Sequence, residues 1–145
     1  MKLARIGNPG KEKPIIVDKD NNYRDVSSVI KDFNSDNLNF ETLEKLKNIK
    51  PEDLPILDKN QRIGACVNKP SKFIGIGLNF KDHAIEQNMP IPKEPIIFSK
   101  FTNSVSGPND DIVIPKNSNH TDWEVELGFV TVSYTHLTLP TSDLV

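Results

Sequence analysis

A chain of 145 residues, 36% hydrophobic and 26% charged, can bury a core and is too apolar to be a disordered tail. Its 18 basic and 20 acidic residues leave a formal charge of −2 with no lysine or arginine block, which argues against a nucleic-acid partner. MKLARIGNPG has no apolar core of signal-peptide length and no apolar run reaches a membrane span, so the expected setting is cytoplasmic, with no membrane partner.

In chain order, KPIIVDKDNNYRDV places two short extended segments around DKDNN, whose Asp and Asn side chains favour turns and left-handed backbone, and predicts a hairpin. NLNFETLEKLKNIK comes next, with Phe40, Leu43 and Leu46 on one side of a helix and Asn39 as its N-cap. Pro51 and Pro55 are expected to end that helix. Residues 1–62 thus read as a small N-terminal domain, a hairpin plus a short helix.

From RIGACV onward the pattern changes to short apolar runs bounded by Gly, Pro and Asn. FIGIG, PIIFS, DIVIP and WEVELGFV read as strands of a second, mainly β region over 63–130. The fold class expected is α+β, mainly β. Cys66 is the single cysteine and lies in an apolar stretch, where a buried, inert thiol is expected. MPIPKEP predicts a rigid extended connector and SGPNDD a turn. The last fifteen residues, 131–145, hold four of the seven threonines and neither lysine nor asparagine, each of which occurs fifteen times before them. They read as a non-native tail, similar to translated sequencing adapter.

Two constellations can carry chemistry. In IGIGLNFKDHAIEQN a strand is expected to end near Gly77 and a helix to begin near Phe80, so that His83 and Glu86 stand at i and i+3 on one face. A carboxylate there can hold an imidazole in one tautomer for general-base work on water, but the same spacing also suits a solvated surface pair. In TDWEVELG, strand alternation would put Asp122, Glu124 and Glu126 on one face and Trp123, Val125 and Leu127 on the other. Carboxylates two residues apart, roughly 7 Å along the strand, can converge on one hard cation, but alternation alone is the ordinary pattern of a half-buried strand with its polar side in water. Lys100, after PIIFS, could meet a developing oxyanion or a substrate carboxylate, or simply be solvated. The glycines of GIGLN lack the third glycine and the distant acid of a dinucleotide fingerprint.

Together, RIGACVNKPSKFIGIGLNFKDHAIEQNMPIPKEPIIFSKFTNSVSGPNDDIVIP and the TDWEVELG after it resemble the fumarylacetoacetate hydrolase family. The likeness is nearest to its bacterial branch of ureidoglycolate lyases and 2,4-diketo-3-deoxy-L-fuconate hydrolases, and extends over roughly residues 1 to 130. The resemblance implies a mixed β-roll, of which residues 63–130 would be the N-terminal part, and a homodimer. It implies Mg²⁺ or Mn²⁺ as cofactor and a small 2-oxo or diketo acid as substrate, with carbon–carbon cleavage as the leading reaction. Within the family a lyase, decarboxylase or isomerase is the alternative, and outside enzymes an inactive fragment serving as a binding module. By matching motif, Glu124 and Glu126 take the place of the paired metal ligands, and His83 and Glu86 that of the histidine and acid acting on water. Lys100 matches the lysine after the apolar strand, while Asp122 is expected to be a neighbour and not a ligand. A third metal-binding aspartate is implied roughly thirty residues past the paired acids, beyond the last residue here. Phe80 stands where tyrosine is frequent.

Overall fold

A computed structural model describes residues 1–132. Most of the expected tail, from 133 on, lies outside the described residues. The fold is α+β and mainly β.

The first region is an antiparallel sheet of four strands in sequence order: β1 (Lys2–Ile6), β2 (Lys13–Val17), β3 (Tyr23–Asp25) and β4 (Ile56–Leu57). The hairpin predicted from DKDNN joins β2 to β3, with Ile15 opposite Asp25 and Val17 opposite Tyr23. Its turn is built by Asp18, whose Oδ1 accepts from the backbone amides of Asp20 (2.9 Å) and Asn22 (2.7 Å), while Asn21 takes the left-handed conformation at φ 59°. Helix α1 (Phe40–Lys47) starts where expected, with the Asn39 side chain accepting from the Thr42 amide at 2.9 Å. Its end differs from the expectation. The helix stops at Lys47 with Asn48 as C-cap, three residues before Pro51, because the Asn48 amide and side chain close the last carbonyls. Pro51 opens a separate 3-10 turn, Pro51–Asp53, where its missing N–H costs nothing.

Ile16, Val26, Ile30, Phe33 and Leu46 form the core, with Leu3, Leu38, Ile49 and Leu54 packed against it. Of the predicted helix stripe only Leu46 is buried; Phe40 is exposed. Residues 62–68 run back along this region, with the Gly7 amide donating to the Arg62 carbonyl, the Gly64 amide to that of Arg5 and the Asn68 amide to that of Phe33. Cys66 sits on this returning segment and is exposed, contrary to the expectation of a buried thiol; the stretch runs along the β1 edge of the sheet instead of into its core.

A charge network fastens the first region to the returning segment and to the turn around Gly107. The buried Arg5 grips Asp32 through two nitrogens and reaches Glu12 at 3.4 Å; Glu12 accepts from Arg62 at 2.9 Å, and Arg62 grips Asp110 through two nitrogens. Burial pushes the Glu12 carboxyl up, but hydrogen bonds from its own amide and from Arg62, with the Arg5 charge nearby, hold it below the usual glutamate range. Arg62, and then the Gly107 amide, hold the Asp110 carboxyl below the usual aspartate range. Gly107 opens the turn predicted from SGPNDD, and a Cβ there would come within 2.3 Å of the Ile63 carbonyl oxygen, so only glycine lets the turn press against the returning segment.

The second region holds two antiparallel strands, β5 (Phe73–Gly77) and β6 (Ile96–Lys100), with helix α2 (Lys81–Glu86) between them in sequence. The antiparallel pairing itself excludes a dinucleotide-type βαβ unit. Gly75 is needed for a different reason: a Cβ there would come within 2.4 Å of the Phe98 ring that lies over it. DIVIP and WEVELGFV were expected as strands, yet neither 111–115 nor 123–130 forms one. A strand exists only when a neighbour supplies its ladder of hydrogen bonds, and among the described residues no segment pairs with either.

Candidate functional site

Strand β5 ends at Gly77, and Leu78, in the left-handed region at φ 48°, turns the chain sharply into Asn79 and Phe80. Phe80 caps α2 without a side-chain hydrogen bond, and the helix then presents His83 and Glu86 one turn apart. His83 Nδ1 stands 3.7 Å from Glu86 Oε2, within ion-pair range for a protonated imidazole but longer than a hydrogen bond. Both side chains are open to water.

Lys100 ends β6 opposite Phe73, and its Nζ lies 5.7 Å from the Phe73 ring centroid, a cation–π contact. The stem is thereby held along the sheet while the ammonium stays accessible.

The acidic segment returns to the same corner of the fold. Asn79 Nδ2 donates to Glu126 Oε2 at 2.9 Å, bridging 47 residues of sequence. Sequence reasoning passed over Asn79; its signal is an amide side chain at a strand-to-helix corner. Asp122 accepts from the neighbouring Trp123 amide at 2.8 Å. Glu124 makes no hydrogen bond or ion pair among the described residues. Since 122–126 is not a strand, the common acidic face expected from alternation does not form by pairing.

The structure therefore joins His83 to Glu86 and Glu126 to the residue before the His83 helix cap, and among the described residues Lys100 and Glu124 make no hydrogen bond or ion pair with either pair. Among the described residues no three His, Cys, Asp or Glu side chains gather closely enough to hold a metal ion. Glu124 and Glu126 suit a hard divalent cation in kind, as exposed carboxylate oxygens with no cationic side chain paired to them among the described residues. Two shallow hollows of about 510 and 530 Å³ border α1 in the first region, and none of these residues lines them.

Residues 72–138 match the family model for the fumarylacetoacetate (FAA) hydrolase C-terminal domain. The FAA hydrolase match spans α2, β6 and the acidic segment, and so takes in His83, Glu86, Lys100, Glu124 and Glu126. A Burkholderia multivorans protein carrying the name "Putative hydrolase" is 54% identical over 130 residues, 90% of this chain and 46% of that protein. Equally named proteins of Burkholderia ambifaria and Burkholderia lata are also 54% identical over 130 residues, with the same shares covered. The chain thus spans about half the length of the curated relatives it matches. No helix among the described residues is long and apolar enough to cross a membrane.

Proposed function

We propose that this chain is part of a hydrolase of the FAA hydrolase family that cleaves a carbon–carbon bond in a 2,4-diketo acid from sugar-acid breakdown. The observation that supports this most is that one stretch of family likeness, 72–138, contains both the His83–Glu86 pair and the Glu124/Glu126 segment that Asn79 ties to the same corner. On this reading residues 1–62 form a brace and 63–130 the first part of a β-roll whose further strands cover β5, β6 and the acidic segment, and the intact protein works as a cytoplasmic homodimer. The ureidoglycolate and diketo-fuconate branch supplies the substrate class.

Glu124 and Glu126 would hold Mg²⁺ or Mn²⁺, with a further carboxylate completing the set, and the ion would polarise the 2-oxo acid end of the substrate. His83, turned by Glu86, takes a proton from water as the oxygen bonds to the C4 carbonyl carbon. The C3–C4 bond then breaks, its electron pair stays on C3, and the proton held at His83 is returned there. One product is a 2-oxo acid, the other a carboxylic acid carrying the water oxygen. Lys100, steered by Phe73, pairs with a substrate carboxylate.

The test joins residues 1–130 to the remaining length of the Burkholderia multivorans relative and follows loss of a 2,4-diketo acid by ultraviolet absorbance. Turnover is expected with Mn²⁺ or Mg²⁺ and not after chelation. His83→Ala should lower turnover about 10²–10⁴-fold with metal still bound, and Glu124→Ala should abolish the metal-dependent rate. The 145-residue chain alone is expected to stay near background, since two carboxylates make an incomplete cage. Turnover unchanged by chelation or by both substitutions contradicts the proposal.

A further inference from the structure

The stretch from the Gly107 turn to Glu126 contains no helix or strand; apart from a turn in which the Ser118 amide donates to the Pro115 carbonyl, side chains hold it at its ends. At one end the two-nitrogen grip of Arg62 on Asp110 holds it against the first region. At the other the Asn79 amide holds the Glu126 carboxylate. Asn79 itself has little freedom, because it lies two positions past the last residue of β5, comes after a left-handed residue and precedes the α2 cap. Its side chain is therefore aimed by the strand-to-helix corner that leads into the His83 helix.

We propose that Asn79 is a positioning residue: by donating to Glu126 Oε2 it fixes the acidic segment beside the strand-to-helix corner, setting the distance between the paired acids and the His83–Glu86 pair. It leaves Glu126 Oε1 and both Glu124 oxygens unengaged among the described residues, which suits carboxylates that must still meet a cation. An amide is the right group for this task. It donates without adding charge, whereas a lysine would neutralise Glu126 and an aspartate would repel it. The metal-facing part of this inference rests on the role proposed for Glu124 and Glu126; the tether does not.

The experiment uses the full 145-residue chain and reads backbone order over 122–127 by ¹⁵N nuclear magnetic relaxation, with Mn²⁺ binding read by electron paramagnetic resonance in residues 1–130 joined to the remaining length of the Burkholderia multivorans relative. Asn79→Asp keeps the side-chain shape and replaces the donor by a carboxylate, so order over 122–127 is expected to fall while β1–β4 stay unchanged. Asn79→Asp combined with Glu126→Gln restores the bond with donor and acceptor reversed, and order should return toward its starting level. Asn79→Gln should recover part of the order that Asn79→Ala loses. In the joined protein Asn79→Ala should weaken Mn²⁺ binding about 10-fold or more. Order unmoved by Asn79→Asp, or not recovered in the double variant, overturns the tether. Recovered order with no Mn²⁺ bound by the joined protein upholds the tether and removes the metal role of Glu126 instead.

Discussion

The two regions of this molecule differ in how they treat apolar surface. Around β1–β4 and α1, Val26, Phe33 and Leu46 are 1% exposed or less, and the buried guanidinium of Arg5 donates to Asp32, Glu12 and the Ala65 carbonyl. From β5 onward, Ile97, Phe101 and Trp123 are 68%, 85% and 78% exposed. The β5–β6 pair is apolar on both sides, with Phe98 and Ile96 on one face and Ile74, Ile76 and Ile97 on the other. An antiparallel sheet meant for water on one side shows alternation; this one has the composition of strands covered on both sides. The candidate chemistry and the closed core are thus kept apart. The Arg62–Asp110 grip ties a segment with no strand of its own to the first region.

Substitution of Phe33 should erase this contrast most completely. Phe33→Ala should cost about 3–5 kcal/mol and remove the cooperative thermal transition seen by circular dichroism, whereas Phe98→Ala should cost less than about 1 kcal/mol, because its ring is already half in water. Arg5→Leu should cost about 3 kcal/mol, since it takes the cation from Asp32 in a poorly hydrated setting and leaves Glu12 to Arg62 alone, and a denaturant titration would show the loss. Asn39→Ala removes the acceptor for the Thr42 amide and should cost about 1 kcal/mol in the same titration.

The weakest effect is confined to acid. Burial opposes ionisation of Asp18, but Arg24 and Asn22 outweigh it and bring its carboxyl from 3.8 down to about 2. A folded-state value below the unfolded one means that Asp18 contributes stability above pH 3.8 and loses it as pH falls toward 2. Asp18→Asn should therefore flatten the fall in melting temperature between about pH 4 and pH 2, relative to the unsubstituted chain. An unchanged slope would show that the Asp18 turn does not distinguish the first region.

What was legible in the sequence was local chemistry. The Asp18 turn, the Asn39 cap and the Gly107 turn depend on residues within a few positions of one another, while FIGIG and PIIFS carry strand patterns but reach each other across 19 to 27 residues. The site residues were named by family likeness, because spacing alone could not separate His83 and Glu86 from an ordinary surface pair. What was not legible depends on distant partners. DIVIP and WEVELGFV have strand-like patterns and no strand to pair with among the described residues. Arg5 meets Asp32 across 27 residues, Arg62 meets Asp110 across 48 and Asn79 meets Glu126 across 47, and no periodicity encodes such meetings. Cys66 looked buried because its neighbours are apolar, yet its segment lies along an edge and not within the core.

On the proposed reading the first region is a brace and the second is covered by further strands and carries the chemistry. Amide hydrogen exchange decides between this picture and its opposite, when the 145-residue chain is compared with the protein joined to the remaining length of the Burkholderia multivorans relative. Strands β1 and β2 and helix α1 should be protected equally in both, while β6 and residues 123–130 should gain protection only after joining. Residues 123–130 remaining as fast to exchange in the joined protein as in the shorter chain would contradict it.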